Sequence, residues 1–597
     1  MTELELQGEY VMDFFCRRND GLGFREVKNN AVTSDLFIPA DLKEFLKENS
    51  RVSWNNLLKR SDYNGDEQKL IRDIMDDIRR KIETSANVAI FLNSTTKNKP
   101  YSFGGETLKL LYVSGTELRG DEDFEKNIFS VVEEMTYSFH HEGKRIFAFR
   151  PDLSFFINGI FLGYAELKSN FTNQTAKNNG RNKVITDYLE AVWEYTKIAN
   201  GNDVQQSLRR TMLRPFEKSI HLVTTDINNT FILRNPGQFF DDAKKGFQEN
   251  MISISSFRPV VEKVFKPLPT VLDENTAPRI RFEEAMRSLY SKKMVEKEIL
   301  YYNFMAYTYK TITVTENGRK VQKKEYKDKT GKLMCPRPKQ KFGCDRIIDR
   351  VQEFLDHESE PNYYIEKLRA ELMAMNAPQD LIERVVAERD SYCNNKYVYS
   401  LLLQYAAGFG KSNIIGWTAL QLKDMRYNGE WVYDKILLVV DRLQLRDQLD
   451  SMMLNMNIDK AMFVEATDQD TFVKALSDKR RIIVVNIQKF WELKNAIAKA
   501  GKDFKNLRVA FLIDEVHRSN TDDVHQEMFS AFDELQDIFD ENGGFLTHGS
   551  VKKNLIVGFT ATPSPRVLAR FGEFYRGANF NQLWKPFDAY TMKEAIA

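Results

Sequence analysis

Cysteine is nearly absent from this sequence: Cys16, Cys335, Cys344 and Cys393 lie scattered through 597 residues. That spread excludes a disulfide framework and offers no paired spacing for structural zinc. No run of eighteen apolar residues occurs, so the sequence predicts no membrane span. The opening Met1-Thr2-Glu3-Leu4-Glu5 lacks the basic-then-apolar layout of a secretory signal, and a reducing cytoplasm is the expected location. Neither sign of charge dominates, since 86 Lys and Arg stand against 85 Asp and Glu, a net of +1. Any contact with a polyanion must therefore come from local rather than global charge. Internal repeats and low-complexity tracts are missing as well. What is present is ordinary for a globular protein, 42% hydrophobic and 29% charged residues, on a chain long enough for two to four domains.

Three regions follow from the pattern along the chain. Residues 1–260 mix strands and helices. Residues 261–334 carry Pro267, Pro269 and Pro278, a helix-like stretch over Phe282–Met305 and a basic segment, and read as a connector. From Lys310 to Arg346 there are twelve Lys and Arg against four Asp and Glu, a net of +8. Within it Asn317-Gly318 separates Thr311-Ile312-Thr313-Val314 from Val321, which predicts an exposed β-hairpin. This segment is either a solvated loop between domains or a DNA-contacting arm, and both readings stay open. Residues 335–597 alternate helices with short apolar runs at Tyr397–Leu403, Ile436–Val440, Arg481–Val485, Val509–Ile513 and Asn554–Phe559. Strands apolar on both faces belong to a parallel sheet covered by helices, with ligands bound beyond their carboxyl ends.

The first chemical constellation is Arg150-Pro151-Asp152 followed by Glu166-Leu167-Lys168. Leu153–Ile157 and Ile160–Leu167 read as strands joined at Asn158-Gly159, a pair suited to the positive φ of a type I′ turn. A strict two-residue hairpin would pair Asp152 with Ala165 and turn Glu166 to the other side. A one-residue bulge, placed here at Gly163, or a three-residue loop would bring Asp152 opposite Glu166. Strand alternation then puts Glu166 and Lys168 on one face and Leu167 in the core. Two carboxylates can hold a hard cation such as Mg2+ through oxygen, and Lys168 can orient or help deprotonate a water attacking a phosphodiester. An Asp…Glu-x-Lys pattern alone arises by chance in most chains. Three ionisable groups set among apolar strand positions are costly unless paired or metal-bound, and that favours a site.

The second constellation is Gly408-Phe409-Gly410-Lys411-Ser412 between an apolar strand and a helix-spaced run over Ser412–Leu422. Backbone amides of such a loop wrap phosphates, Lys411 would neutralise the terminal ones, and Ser412 would ligate Mg2+ at a helix start. Tyr405 stands where the full pattern has its first glycine, and Phe409 is bulky for the loop. Downstream, Phe511-Leu512-Ile513 ends in Asp514 and Glu515, placed to hold the magnesium of ATP and to polarise water. Thr560-Ala561-Thr562 closes another strand.

These motifs together resemble the type I restriction enzyme R subunit, HsdR. Pro336-Arg337-Pro338-Lys339-Gln340 is similar to its adenine-reading Q motif, and Asp441-Arg442-Leu443-Gln444-Leu445-Arg446-Asp447-Gln448 to its motif Ia. Ile487-Gln488-Lys489-Phe490, Asp514-Glu515-Val516-His517-Arg518-Ser519 and Phe559-Thr560-Ala561-Thr562-Pro563 resemble later motor elements. The resemblance covers residues 125–195 and 335–597. It implies an α/β chain with an N-terminal PD-(D/E)xK restriction-endonuclease-like domain and a RecA-like parallel-sheet P-loop domain. It also implies ATP and Mg2+ as cofactors and double-stranded DNA as substrate. Methylation (M) and specificity (S) subunits are the implied partners, with no membrane involved. Of the family's Gln-x-x-x-Tyr element, Tyr188 fits and Val184 departs. Tyr590–Ile596 resembles the passage into a second motor lobe, so a fragment lacking that lobe is expected, with feeble ATP binding and negligible turnover. A solitary repair helicase-nuclease and a DNA-holding docking module are the alternatives.

Overall fold

The computed structural model describes residues 9–168 apart from 97–99, 115–122 and 142–143; 174–183 apart from 182; and 214–239 apart from 227. It further describes 264–360 apart from 317–318 and 328–330, then 363–393, 398–440, 463–486 apart from 467, 507–516, 537–539, 545–548, 554–575 and 583–596. The chain divides into two compact units, Met1–Met305 with Lys332–Lys339, and Ala306–Gly331 with Gln340–Ala597.

The first unit is built on a mixed seven-stranded sheet. Its strand order is Arg25–Glu26, Phe129–Glu133, Leu153–Ile157, Ile160–Leu167, His221–Thr225, Thr230–Arg234, Lys266–Pro267. The two central strands form the expected hairpin, with Asn158 at φ 48° and Gly159 at φ 76°. Both strands are fully buried because helices cover the sheet. The amphipathic helix Glu67–Thr84 is started by the Asp66 carboxylate, which accepts from the Gln68 and Lys69 amides, and it buries Leu70, Ile71, Ile74 and Ile78. One face of the sheet, with Phe155, Ile157, Ile160, Leu162, Ala165 and Leu167, joins that core. The other face packs Phe156, Phe161 and Tyr164 against Phe216 and Leu222.

The connector expectation needs correction. Its helix, Pro278–Tyr290, buries Phe282, Ala285, Met286, Leu289 and Tyr290 in the first unit's core, and Tyr290 stacks on Phe155 at 3.8 Å. Pro278 sets the start of this helix at its first turn rather than a domain boundary. The basic segment does form a hairpin, as a separate two-stranded ribbon of Tyr309–Glu316 and Arg319–Tyr326; Asn317 and Gly318 lie outside the described residues.

The second unit carries a seven-stranded sheet in which every pairing is parallel. The order is Phe463–Ala466, Ile482–Asn486, Lys435–Val440, Val509–Ile513, Asn554–Thr560, Val398–Tyr405, Asp588–Tyr590. All five strands expected from apolar runs are present within two residues of their expected ends. Their Val, Ile and Leu residues are buried because helices such as Lys411–Lys423 pack on the sheet.

Candidate functional site

The hairpin of the first unit contains the irregularity the arithmetic demanded. Leu153 pairs with Ala165, Ser154 with Tyr164 and Phe155 with Gly163, and the register then shifts so that Phe156 pairs with Phe161. Leu162 is the extra residue, beside Gly163. The core confirms the change of parity: Ile160 and Leu162 share a face with Ala165 and Leu167. Gly163 itself is required by a close backbone approach, since a Cβ there would lie 2.4 Å from the His221 carbonyl oxygen. Extending the register puts Asp152 opposite Glu166, and the Leu167 amide donates to Asp152 Oδ2 at 2.6 Å.

Asp152, Glu166 and Lys168 are therefore together and buried, at 9%, 1% and 6% exposure. Lys168 Nζ donates to Glu166 Oε1 at 2.6 Å. A second ammonium, Lys183, reaches the same oxygen at 2.5 Å. Glu166 Oε2 is buried with no hydrogen-bond partner among the described residues. Burial, and then the neighbouring Glu166 charge, push the Asp152 carboxyl up to about 7, against the pull of the Leu167 amide and of Lys168 and Lys183.

Lys183 carries no motif in the sequence. It is delivered by the helical turn Ala176–Gly180, whose start is fixed by Thr175 accepting from Asn178 and by Asp226 accepting from the Ala176 amide. The only legible signal was a polar run returning to the sheet soon after Lys168. Val184 and Tyr188 lie outside the described residues.

The donor set fits a hard divalent cation. One buried carboxylate has an oxygen without a partner, and the other is raised by burial and then by the neighbouring carboxylate's charge. Among the described residues no group of three or more His, Cys, Asp or Glu gathers, so an ion here would have two protein carboxylates and complete its shell with water or phosphate oxygens.

In the second unit, Gly408 and Gly410 take φ values of 79° and 95°, and helix Lys411–Lys423 starts immediately after. Lys411 Nζ donates to Glu515 Oε1 at 2.7 Å, linking the loop to the end of strand Val509–Ile513. Asp514, next to it, is 5% exposed. Glu515 holds φ 50°, a turn that costs a non-glycine residue energy and marks a constrained position. Ser412 is partly exposed at the first helical turn. The Gln340 amide donates to the Phe409 carbonyl at 2.5 Å, so this side chain fastens the loop's backbone.

The two residues that depart from the phosphate-loop pattern are both packed inward. Tyr405 is fully buried and its hydroxyl donates to Asp588 Oδ2 at 2.6 Å, while Arg346 donates to Asp588 Oδ1 at 2.9 Å. Phe409 stacks on Tyr590 at 4.4 Å. Neither ring occupies the loop's outer face, because both serve the seam between Val398–Tyr405 and Asp588–Tyr590. Residues 441–448, 487–490 and 517–519 of the other motor motifs lie outside the described residues.

The fold defines a class: a mixed α/β unit followed by a RecA-like parallel-sheet unit. The family comparisons narrow it. Residues 27–231 match the type I restriction enzyme R protein N terminus (HSDR_N), and residues 382–539 match the SWI2/SNF2 ATPase. The two matches, in that order, make the chain HsdR-like. Such domains use ATP and a divalent metal in general. No curated protein matches the chain. Among solved structures, the helicase domain of Pyrococcus furiosus Hef is 16% identical over 29% of this chain and 32% of that chain, with a TM-score of 0.21. Mss116p bound to ssRNA and AMP-PNP is 13% identical over 32% of this chain and 35% of that chain, with a TM-score of 0.22. The chain spans about a third of the length of these two structures. No helix among the described residues is long and apolar enough to cross a membrane.

Proposed function

We propose that the chain supplies the nuclease and part of the motor of a type I restriction enzyme, which cuts double-stranded DNA while ATP drives translocation. The observation that carries the reading is the bulged hairpin: it gathers Asp152, Glu166 and Lys168 at one buried point and leaves Glu166 Oε2 without a partner. Asp152 and Glu166 would hold Mg2+. When bound, that ion lowers the pKa of a coordinated water and offsets charge on the scissile phosphate. Glu166 Oε1 anchors Lys168, whose ammonium would orient the water by donating to its oxygen and could hand a proton to the leaving oxygen.

In the motor, the amides of Gly408 and Gly410 would cradle phosphates, Lys411 would exchange Glu515 for the terminal phosphate, and Ser412 and Asp514 would hold Mg2+. Glu515, released from Lys411, would then be free to polarise the attacking water. Gln340 holds the loop and would read the adenine. Methylation and specificity subunits would supply site recognition.

Asp152→Ala tests the cutting site: purified protein with Mg2+ should lose nicking of plasmid DNA by at least about a hundredfold. Equal nicking before and after the change removes the assignment. Reconstitution with cognate methylation and specificity subunits and ATP should restore cleavage of unmodified plasmid, whereas cleavage independent of those subunits would favour a solitary repair helicase-nuclease.

A further inference from the structure

At the turn end of the central hairpin, the first unit carries a cavity of about 160 Å3. Ile160 and Phe161 line it, and Glu166 lies five positions beyond Phe161 on the same strand, about 17 Å away. Its floor is apolar: Leu36, Phe37, Val88, Ile160 and Phe161 are all buried. Backbone contacts fix these walls in advance. The Phe37 amide donates to Thr33 Oγ1 at 3.1 Å, and the Ile38 amide to the Gly159 carbonyl at 2.9 Å. The Val88 amide donates to the Lys218 carbonyl at 2.8 Å, which ties helix Val88–Thr95 to helix Arg214–Glu217. Leu36 holds φ 60°, a conformation that a bulky residue keeps only where its surroundings impose it.

Charged groups complete the lining. Arg214 and Lys218 are neighbours one helical turn apart. The Arg214 guanidinium meets the Glu217 carboxylate only at 3.7 Å, beyond hydrogen-bond reach. Arg79 donates to Glu83 at 2.9 Å through a terminal nitrogen, yet its Nε is buried with no hydrogen-bond partner among the described residues. Asp35 lies 3.9 Å from that Nε, again too far for a hydrogen bond. Arg79, Arg214 and Lys218 thus stand against Asp35 and Glu83, and Glu83 is already engaged by Arg79.

We infer that this cavity binds a small organic acid, a single carboxylate on an apolar body about the size of one aromatic ring. The volume sets the size, since an apolar cavity of about 150 Å3 takes up benzene. The apolar floor disfavours an inorganic anion or a sugar, whose polar atoms would find no partners against it. The unmet guanidinium N–H groups call for an acceptor, and a carboxylate matches their fork with charge as well as geometry. A few convergent polar groups over a preformed apolar pocket are the usual build of a small-molecule site. The lining shares no residue with the nuclease or nucleotide constellations, so binding there requires neither Mg2+ nor ATP.

The test titrates the full chain with benzoate, in EDTA and without nucleotide, and follows binding by saturation-transfer NMR. Benzoate should bind with a dissociation constant on the order of 1 mM, as expected of so small a ligand. Benzamide, benzylamine and acetate should each bind at least about tenfold more weakly, the first two for want of the charge and the last for want of the ring. Arg214→Gln should weaken benzoate at least about tenfold with the melting temperature retained. Ile82 is half-buried on the cavity's lining, so Ile82→Trp fills the space from its rim without altering charge and should abolish the signal. The exposed Lys59, outside the lining, serves as control, and Lys59→Gln should leave benzoate binding unchanged. Absence of benzoate binding at about 10 mM, ten times the expected constant, overturns the assignment. Benzamide, benzylamine or acetate binding as tightly as benzoate overturns it, and so does parent-like benzoate binding by either folded variant.

Discussion

Tyr405 and Gly343 are predicted to be energetically coupled. A Cβ at Gly343 would lie 2.1 Å from the Tyr405 hydroxyl oxygen, while the next atoms, Tyr405 Cζ and Asp588 Oδ2, are 3.3 and 3.4 Å away. Gly343→Ala therefore collides with one atom only. On an exposed helix the change would gain about 1 kcal/mol. Here the overlap costs about 1–3 kcal/mol and also displaces the hydrogen bond to Asp588. Tyr405→Phe alone removes one donor from a buried carboxylate, about 1.5–3 kcal/mol. With the hydroxyl gone, the alanine meets a ring carbon at a tight but tolerable distance. Adding Gly343→Ala to Tyr405→Phe should then cost nothing or stabilise. The double-mutant cycle should show a favourable coupling of about 2 kcal/mol or more in urea denaturation. Additivity within about 0.5 kcal/mol would refute the packing of Tyr405 beneath the phosphate loop.

Two further outcomes follow from named contacts. Lys183→Met removes one of the two ammoniums on Glu166 Oε1, and supporting contacts of this kind change activity about 10–100-fold; Mg2+-dependent cleavage should fall by at least tenfold with the circular dichroism spectrum retained, and unchanged cleavage would show that Lys168 suffices. Lys435 is buried and donates to the carbonyls of Ala475, Asp478 and Arg480 at 2.7–2.9 Å, and burial lowers its ammonium to about 8. Between pH 8 and its ordinary 10.5 the unfolded chain holds a proton that the folded chain has released, so this group makes stability rise with pH there, by up to about 1.4 kcal/mol per pH unit. Lys435→Met should flatten that rise relative to the parent protein, and identical slopes would place the titration elsewhere.

The parts of the molecule that were legible in the sequence are those governed by period and count. Val509–Ile513 could be read to the residue because five consecutive apolar positions ending in two acids fit a buried parallel strand and little else. The bulge was legible because Asp152 and Glu166 cannot share a face in a strict hairpin. Its site at Leu162–Gly163 rests on the approach of the His221 backbone, which no local pattern shows. Lys183 was invisible for a related reason: it reaches Glu166 through a turn whose path is fixed by Asp226, 50 residues from Ala176. The helix Pro278–Tyr290 was read as a connector because its prolines were weighed above its apolar spacing, although Phe282, Ala285, Met286 and Leu289 were there to be read as a core stripe. Tyr405 and Phe409 look like defects only when the phosphate loop is considered alone. Their rings are explained by Asp588 and Tyr590, far downstream.

That last arrangement bears on how the protein is made. The strand that precedes the phosphate loop lies between Asn554–Thr560 and Asp588–Tyr590, both of which leave the ribosome long after it. At roughly 5–20 residues per second, the first of these partners emerges on the order of ten seconds later. For that interval Val398–Tyr405 presents two unpaired apolar edges in a nascent polypeptide, a state that invites chaperone capture or mispairing. Competence to bind nucleotide should consequently appear as one of the last events of biogenesis, well after the nuclease-like half has folded.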